Sequence, residues 1–419
     1  MKKIDNYVVV VKMKAGYLSQ YFSGVAIKSL SAVEADPYSS NQHEFNGVSG
    51  LKRIFGQPIG KVKYDTKFVY LNDNDDEPVT ADGYLTWYDA RENNPTRSEC
   101  RLYFPTTQVS MCAAAGDLLV IGLRPDNSVI VIIGESGSTI GNQIRWLFGF
   151  SNETHPGFSI RGELESEQDR IAFASRIILE QIGVAIEESE ETYLDDMISK
   201  FGEKFPSTKD FSIYARSTLK DIEPLEDPDA ALLAWIEREE ILFRTFEKYL
   251  VGERLRNGFV DDVEGFINYS LSVQNRRKSR VGYAFENHME KIFISYGISF
   301  SRTKITENKS KPDFIFPSIE KYHDTTFNPS LLTMLGVKST CKDRWRQVLS
   351  EADRIDYKHL LTLEAAISEN QTNEMRDKKV QLILPKGIHY TYTQDQRDWI
   401  IDINAFIRHV KERQLFGNL

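Results

Sequence analysis

Two stretches hold the residues best suited to chemistry: "KPDFIFPS", Lys311 to Ser318, and "LGVKSTCKDRWRQVLSEAD", Leu335 to Asp353. Asp313 opens one apolar run, and Lys338 lies inside another. Hydrolysis of a phosphodiester needs a metal ion to make hydroxide and to stabilise charge on the phosphate, and two or more carboxylates must hold that ion. Mg²⁺ keeps several of its waters, so one strand-borne aspartate with one or two glutamates suffices. Asp313 supplies the first carboxylate. Glu351, thirteen positions after Lys338, supplies the second, and Glu286, on a preceding helix in basic surroundings, is a further candidate. The Lys338 ammonium is suited to hold the attacking water or the scissile phosphate. Plainer readings exist for each residue. Pro-Asp at a strand start is ordinary turn chemistry, a lysine at a strand end is commonly a solvated edge, and Glu351 and Asp353 could be surface charges.

These residues need elements to position them. The spacing predicts a helix over "VGYAFENHMEKIFISYG", strands over "DFIFPS" and "LLTMLGVKST", a helix over "DRWRQVLSEADRI" and a strand over "VQLILP". Helix, strands, helix, strand in that order is an α/β core around a mixed sheet. In the helix predicted over "DRWRQVLSEADRI", Arg344 and Glu351 are seven apart, two turns, and so share a face. Upstream, "DPDAALLAWIEREEILFRTFEKYLVGERL" has helical apolar spacing, with Asp227 as N-cap and Pro228 in the first turn.

The first 150 residues are predicted to be β-rich. Runs such as "NYVVVVKMK", "TKFVYL", "GYLTWYD", "CRLYF", "GDLLVIGL" and "NSVIVIIG" are separated by Gly, Asn, Asp and Pro turns, as in a barrel or sandwich. The period turns helical over "EQDRIAFASRIILEQIGVAI", and the acidic "AIEESEETYLDD" marks a boundary before a hinge near "FGEKFPSTKDF". The expected organisation is therefore a domain over 1–185, a linker over 186–204 and a second domain over 205–419.

Composition fits a soluble globular protein, with 41% hydrophobic and 27% charged residues among 419. The apolar runs are too short to span a bilayer, and the N-terminal lysines lead into a strand pattern rather than a signal peptide. Three cysteines, Cys100, Cys112 and Cys341, are too few and too scattered for a disulfide framework or a zinc site, so a cytoplasmic location is expected. The net charge of −9 argues mildly against nucleic acid, but the charge is segregated. Between Leu271 and Ser310, Arg276, Arg277, Lys278, Arg280, Lys291, Arg302, Lys304 and Lys309 face only Glu286, Glu290 and Glu307.

The stretch "NRRKSRVGYAFENHMEKIFISYG", with "KPDFIFPS", "YHDTTF" and "VKSTCKDRWRQVLSEADRI" after it, resembles the catalytic domain of EcoRII-type restriction endonucleases from about Phe205 to Pro385. That resemblance implies a PD-(D/E)XK nuclease fold, in the branch where the second acidic residue has migrated from the strand to the following helix. It implies Asp313 and Glu351 as ligands of Mg²⁺, Lys338 as the catalytic lysine and Glu286 as an additional acidic residue. Tyr322 matches a tyrosine near the family's active site. It also implies base reading by Lys342, Asp343 and Arg344, since a basic residue on guanine O6/N7 and a carboxylate on cytosine N4 read G·C pairs. In relatives that position recognises the CC and GG of CCNGG or CCWGG. The same three could be helix-start charges. Arg346 is expected on a phosphate, with Trp345 packed inward. Where the family holds an extruded base between an arginine and an aromatic residue, gapless alignment gives Ile236 and Glu240. Trp235 and Arg238 lie nearby on one face and could do that stacking, or Trp235 could be core.

In the first half, "WYDARENNPTRSECRLYF" carries Arg91, Arg97, Glu99 and Arg101, the last three alternating on one face. They could read bases or form a salt-bridge ladder. This half resembles, more weakly, the N-terminal effector domain of the same enzymes, a DNA-binding pseudobarrel. "NQHEFNGVSGLKRIFG" falls at that domain's second DNA-contacting arm, making His43, Glu44 and Asn46 candidates. The combined expectation is a DNA-binding pseudobarrel followed by an α/β restriction-endonuclease-like domain with a central mixed sheet. The expected protein is a Mg²⁺-dependent type II restriction endonuclease that dimerises through its C-terminal domain on double-stranded DNA, while the N-terminal domain binds a second effector site. A DNA-binding regulator on a nuclease fold that no longer cuts is the alternative.

Overall fold

A computed structural model describes residues 17–35, 43–45, 48–75, 77–94, 97–150, 158–162, 164, 173–184 and 193–417. The chain divides into two compact units, Met1–Val184 and Ala185–Leu419.

The first unit is built on an eight-stranded sheet. Its strands are β1 (Gly24–Ser29), β2 (Glu44–Phe45), β3 (Val62–Leu71), β4 (Val79–Asp89), β5 (Cys100–Tyr103), β6 (Leu118–Leu123), β7 (Val129–Gly134) and β8 (Ser159–Arg161), in spatial order β2-β5-β4-β3-β7-β6-β1-β8. Neighbours are antiparallel except the parallel pair β3–β7. β6 and β7 are apolar along their whole length and buried at every position, which is why they sit mid-sheet. β4 alternates exposed and half-buried residues until its buried segment Leu85–Trp87. That segment joins Phe68, Leu102, Ile121 and Val131 in the core. The run "NYVVVVKMK" lies outside the described residues.

The second unit holds a five-stranded mixed sheet: β9 (Ser301–Arg302), β10 (Phe314–Phe316), β11 (Thr333–Lys338), β12 (Lys358–Thr362) and β13 (Val380–Ile383), ordered β13-β12-β11-β10-β9. β9, β10 and β11 pair antiparallel, while β11, β12 and β13 pair parallel. The helix Pro228–Asn257 starts where expected, with the Asp227 carboxylate accepting from the amides of Asp229 (3.0 Å) and Ala230 (2.9 Å). The next helix, Val263–Ser295, begins well before the predicted start at Val281, with Asp262 as its cap. Near its C-terminal end Phe293 meets Phe314 and Phe316 edge-on, each with ring centroids 5.2 Å away, and this aromatic cluster fastens the helix to β10.

Two sequence expectations need correction. Residues 193–204, expected to fall in a linker, include the helix Leu194–Phe201. Its Met197 is fully buried beside Phe211, Tyr214, Phe243 and Phe246, Asp196 accepts from the Tyr214 hydroxyl at 2.7 Å, and Phe205 stacks on Phe243 at 4.9 Å. The proposed hinge is thus part of the second unit's apolar core. The α-helix predicted over "DRWRQVLSEADRI" is instead a 3₁₀ helix, Lys342–Ser350, that ends at Glu351 in extended backbone with φ −96° and ψ 140°. Ala352 then turns left-handed at φ 54°. With about three residues per turn rather than 3.6, the α-helical face shared by Arg344 and Glu351 does not form.

Gly336 lets this 3₁₀ helix approach β11. A Cβ there would lie 2.8 Å from Cγ2 of Val348, a buried, β-branched side chain with little freedom to move aside. We expect Gly336→Ala to destabilise the protein by about 1–3 kcal/mol through overpacking, with Val348→Ala in the same chain recovering part of the loss. Denaturant midpoints of the single and double variants check this, and an unaffected single variant would show the strand and helix are less tightly apposed.

Candidate active site

Antiparallel pairing of Phe314 with Leu335 brings the residue before β10 alongside the end of β11. That residue is Asp313, 8% exposed, whose Oδ2 accepts from the Val337 amide at 2.7 Å and from Lys338 Nζ at 3.0 Å. A backbone amide and an ammonium on one oxygen hold the carboxylate in a single orientation. Burial pulls the Lys338 ammonium down, but Asp313, then Glu351 and Glu286, outweigh it and raise the group above its ordinary value. Lys338 therefore stays a cation in a cluster of carboxylates.

Glu351 enters the cluster from the end of the 3₁₀ helix. Its Oε2 is buried with no hydrogen-bond partner. Burial, with Asp313 adding to it against the pull of Lys338 and Lys358, pushes its carboxyl up to about 7. Glu286 arrives from the helix Val263–Ser295 and accepts two bonds from Arg302, Nε at 3.2 Å and Nη2 at 3.0 Å. Burial and then Asp313 raise its carboxyl, with Arg302 opposing. Arg302 also donates to Asn287 at 2.9 Å and Glu290 at 2.8 Å, so one guanidinium on β9 fixes three side chains of that helix. Sequence reasoning counted Arg302 only as part of a basic stretch, since nothing in the spacing shows that β9 lies against Glu286.

Tyr322 stands apart from this cluster. Fully buried, it donates to Glu307 Oε2 at 2.5 Å and accepts from the Arg354 amide at 3.4 Å. Arg354 in turn donates to the carbonyls of Tyr322, Asp324 and Phe327. Its geometry is that of a brace on the turn after Glu351. Among the described residues no group of three or more His, Cys, Asp or Glu is disposed to hold a metal.

Of the expected base-reading residues, the backbone of Lys342 and Asp343 begins the 3₁₀ helix, and their side chains lie outside the described residues. Arg344 is exposed. Arg346 pairs with Glu374 at 2.8 Å on the surface, and Trp345 is fully buried. The alternative stacking pair does not hold as expected. Trp235 is 3% exposed and packs against His288 with centroids 5.7 Å apart, so it offers no face to a base. Arg238 donates to Thr218 at 2.8 Å and covers the Tyr193 ring at 4.3 Å. Ile236 is core, and Glu240 pairs with Arg244 and Arg280. A cavity of about 700 Å³ lined by Phe205, Glu239, Phe243, Arg276 and Arg280 lies in this helical part, but none of Glu286, Asp313, Lys338 or Glu351 lines it.

In the first unit, Glu99 joins Arg91 (2.5 Å) and Arg101 (2.9 Å), and Arg101 reaches Glu44 at 3.1 Å. These side chains form an ion-pair ladder that runs from the turn after β4, past the start of β5, to Glu44 on β2, while Arg97 is exposed. The His43 ring lies edge-on to Phe104 at 5.8 Å, and its Nδ1 is buried without a partner. Asn46 lies outside the described residues.

Residues 243–407 match the family model described as EcoRII C terminal. The chain is 43% identical over 205 residues to the type II restriction enzyme EcoRII of Escherichia coli, covering 49% of this chain and 50% of that enzyme. It is 23% identical over 175 residues to the type II restriction enzyme SsoII of Shigella sonnei, covering 39% and 55%. The chain thus spans about half the length of the curated relatives it matches. Among solved structures, the restriction endonuclease PspGI–substrate DNA complex is similar with a TM-score of 0.43 at 18% identity, over 50% of this chain and 93% of that one. No described helix is long and apolar enough to cross a membrane.

The raised Glu351 carboxyl has a thermodynamic consequence. In the unfolded chain it ionises near 4.5, in the folded metal-free protein near 7. Below both values it is protonated in either state and contributes nothing. As pH rises through that window the unfolded state loses its proton first, and stability falls. Glu351→Gln is therefore expected to raise the melting temperature of metal-free protein at pH 8, by roughly 2–4 °C, and to leave it unchanged near pH 4. Thermal scans in EDTA at both pH values test this. A loss of stability at pH 8 would contradict the assigned environment.

Proposed function

We propose that the chain, whose residues 243–407 match the EcoRII C-terminal family model, is a type II site-specific deoxyribonuclease. The observation that carries it is the meeting of the Asp313–Lys338 pair with Glu351, whose Oε2 is buried with no hydrogen-bond partner, all inside residues 243–407. An unpartnered buried carboxylate oxygen beside an oriented carboxylate suits a divalent cation, since burying such an atom without compensation is costly. Asp313 and Glu351 would hold Mg²⁺, and water would complete its shell. Bound there, the ion would lower the pKa of a water and offset charge on the phosphate.

The rest belongs to the chain's own side chains. The Val337 amide and Lys338 fix Asp313. Lys338, kept cationic by its carboxylate neighbours, would hold the attacking water or the scissile phosphate. Arg302 clamps Glu286 at the margin of the cluster. Lys342, Asp343 and Arg344, at the start of the 3₁₀ helix, would read G·C pairs of a CC/GG-containing site in the major groove. A symmetric site of that kind would be cut by two copies joined through their C-terminal domains. The first unit would act as a pseudobarrel effector domain, contacting a second copy of the site through the surface around Arg97, Arg101 and His43.

The deciding experiment is digestion of a plasmid of known sequence with Mg²⁺, beside an EDTA control and Lys338→Ala, with the ends sequenced. Discrete ends at one CC/GG-containing site are expected, with Lys338→Ala slowing cleavage by about a hundredfold or more. Tight binding to a defined site without cleavage would turn the reading to a DNA-binding regulator. Because the helix Leu194–Phe201 packs into the second unit, a shortened chain should begin at Tyr193 rather than near Phe205. Cleavage of single-site DNA by that chain faster than by the full chain is the expected sign of an effector role, and equal rates would remove it.

A further inference from the structure

Glu351 sits at a bend, and a second lysine is built into that bend. Lys358, the first residue of β12, is 6% exposed. Its Nζ donates to the carbonyls of Glu351 at 2.5 Å, Ala352 at 3.0 Å and Ile355 at 2.8 Å. An ammonium has three protons to donate, and these three carbonyls account for all of them. The shortest of the three bonds goes to Glu351 itself. Long flexible lysines are seldom buried, because both desolvation and lost side-chain freedom oppose it. Here that cost is met in order to gather one short turn.

The turn needs gathering. Ala352 is left-handed at φ 54°, a conformation disfavoured for a residue with a Cβ. On the far side, Tyr322 and the Asp353 amide share the Glu307 carboxylate, at 2.5 Å and 3.3 Å. The bend is therefore anchored by Lys358 at its base and by the Tyr322–Glu307 pair at its outer edge. The Glu351 carboxyl, in contrast, has an oxygen with no partner at all. Its place beside Lys338 and Asp313 is set through its backbone rather than through its own side chain.

We propose that Lys358 is a positioning residue that presets Glu351 for a divalent cation by fixing the backbone of residues 351–355. The proposal rests on the reading of Glu351 as a metal ligand. Loss of such outer contacts to a metal ligand typically weakens metal binding by about 10–100-fold, and that is the effect expected of Lys358→Met, which keeps the length of the stem and removes the donors.

The test is calorimetric titration of the full chain with Mn²⁺, with DNA affinity in EDTA and melting temperature measured in parallel. Lys379→Met is the control. It removes the same charge nearby, from an exposed lysine whose partner is Asp356 at 2.7 Å, one residue beyond the bend. Lys358→Met is expected to bind Mn²⁺ more weakly and to regain cleavage at high Mn²⁺, with metal-free DNA binding unchanged and Lys379→Met like the parent. Unchanged Mn²⁺ affinity in Lys358→Met, or an equal loss in Lys379→Met, would overturn the proposal. Should Lys358→Met fail to fold, Tyr322→Phe releases the outer anchor. A weaker Mn²⁺ affinity in that variant supports the preset bend, and parental affinity overturns it. A parent chain that binds no Mn²⁺ would instead sink the nuclease reading itself, and this inference with it.

Discussion

The second unit depends on a conflict between burial and charge at the ends of β10 and β11. Asp313, Lys338, Glu286 and Glu351 are drawn together and partly desolvated, and the Asp313 charge raises the carboxyls of both Glu286 and Glu351. One lysine cannot neutralise three carboxylates. Asp313 has an amide and an ammonium, Glu286 has an arginine, and Glu351 Oε2 is buried with no hydrogen-bond partner. That residual imbalance favours a cation.

Holding such a cluster together requires a stiff surround. The aromatic packing of Phe293 on Phe314 and Phe316 fastens the helix bearing Glu286 to the strand that follows Asp313. Arg302 ties the same helix to β9 by polar contacts. On the other side, Gly336 admits Val348, so the 3₁₀ helix lies close on β11. Each contact is ordinary, but together they fix the two strands, the helix and the bend that carry the four side chains.

Much of this was legible in the sequence. The Asp227 cap, the apolar runs that became β6, β7, β10, β11 and β13, and the grouping of Asp313 with Lys338 follow from residue type and local spacing. What failed was non-local. The segment from Lys342 to Ser350 has acceptable α-helical spacing, yet tertiary contacts wind it as a 3₁₀ helix and end it at Glu351. Trp235 has the spacing of a surface aromatic beside Arg238, but the neighbouring helix covers it with His288. Arg302 and Lys358 carried no motif at all. Their significance comes from the strand register and the turn they reach across, and a single sequence does not encode either in a local pattern.

The 3₁₀ helix joins Arg344 to Glu351 along one continuous backbone. Arg344 lies near its start and Glu351 at its end, with no loop between them to absorb a change in length. At about three residues per turn, one inserted or deleted residue would rotate the following side chain by roughly a third of a turn. The count of residues in this short segment therefore sets the angle between Arg344 and Glu351, and it works as a spacer.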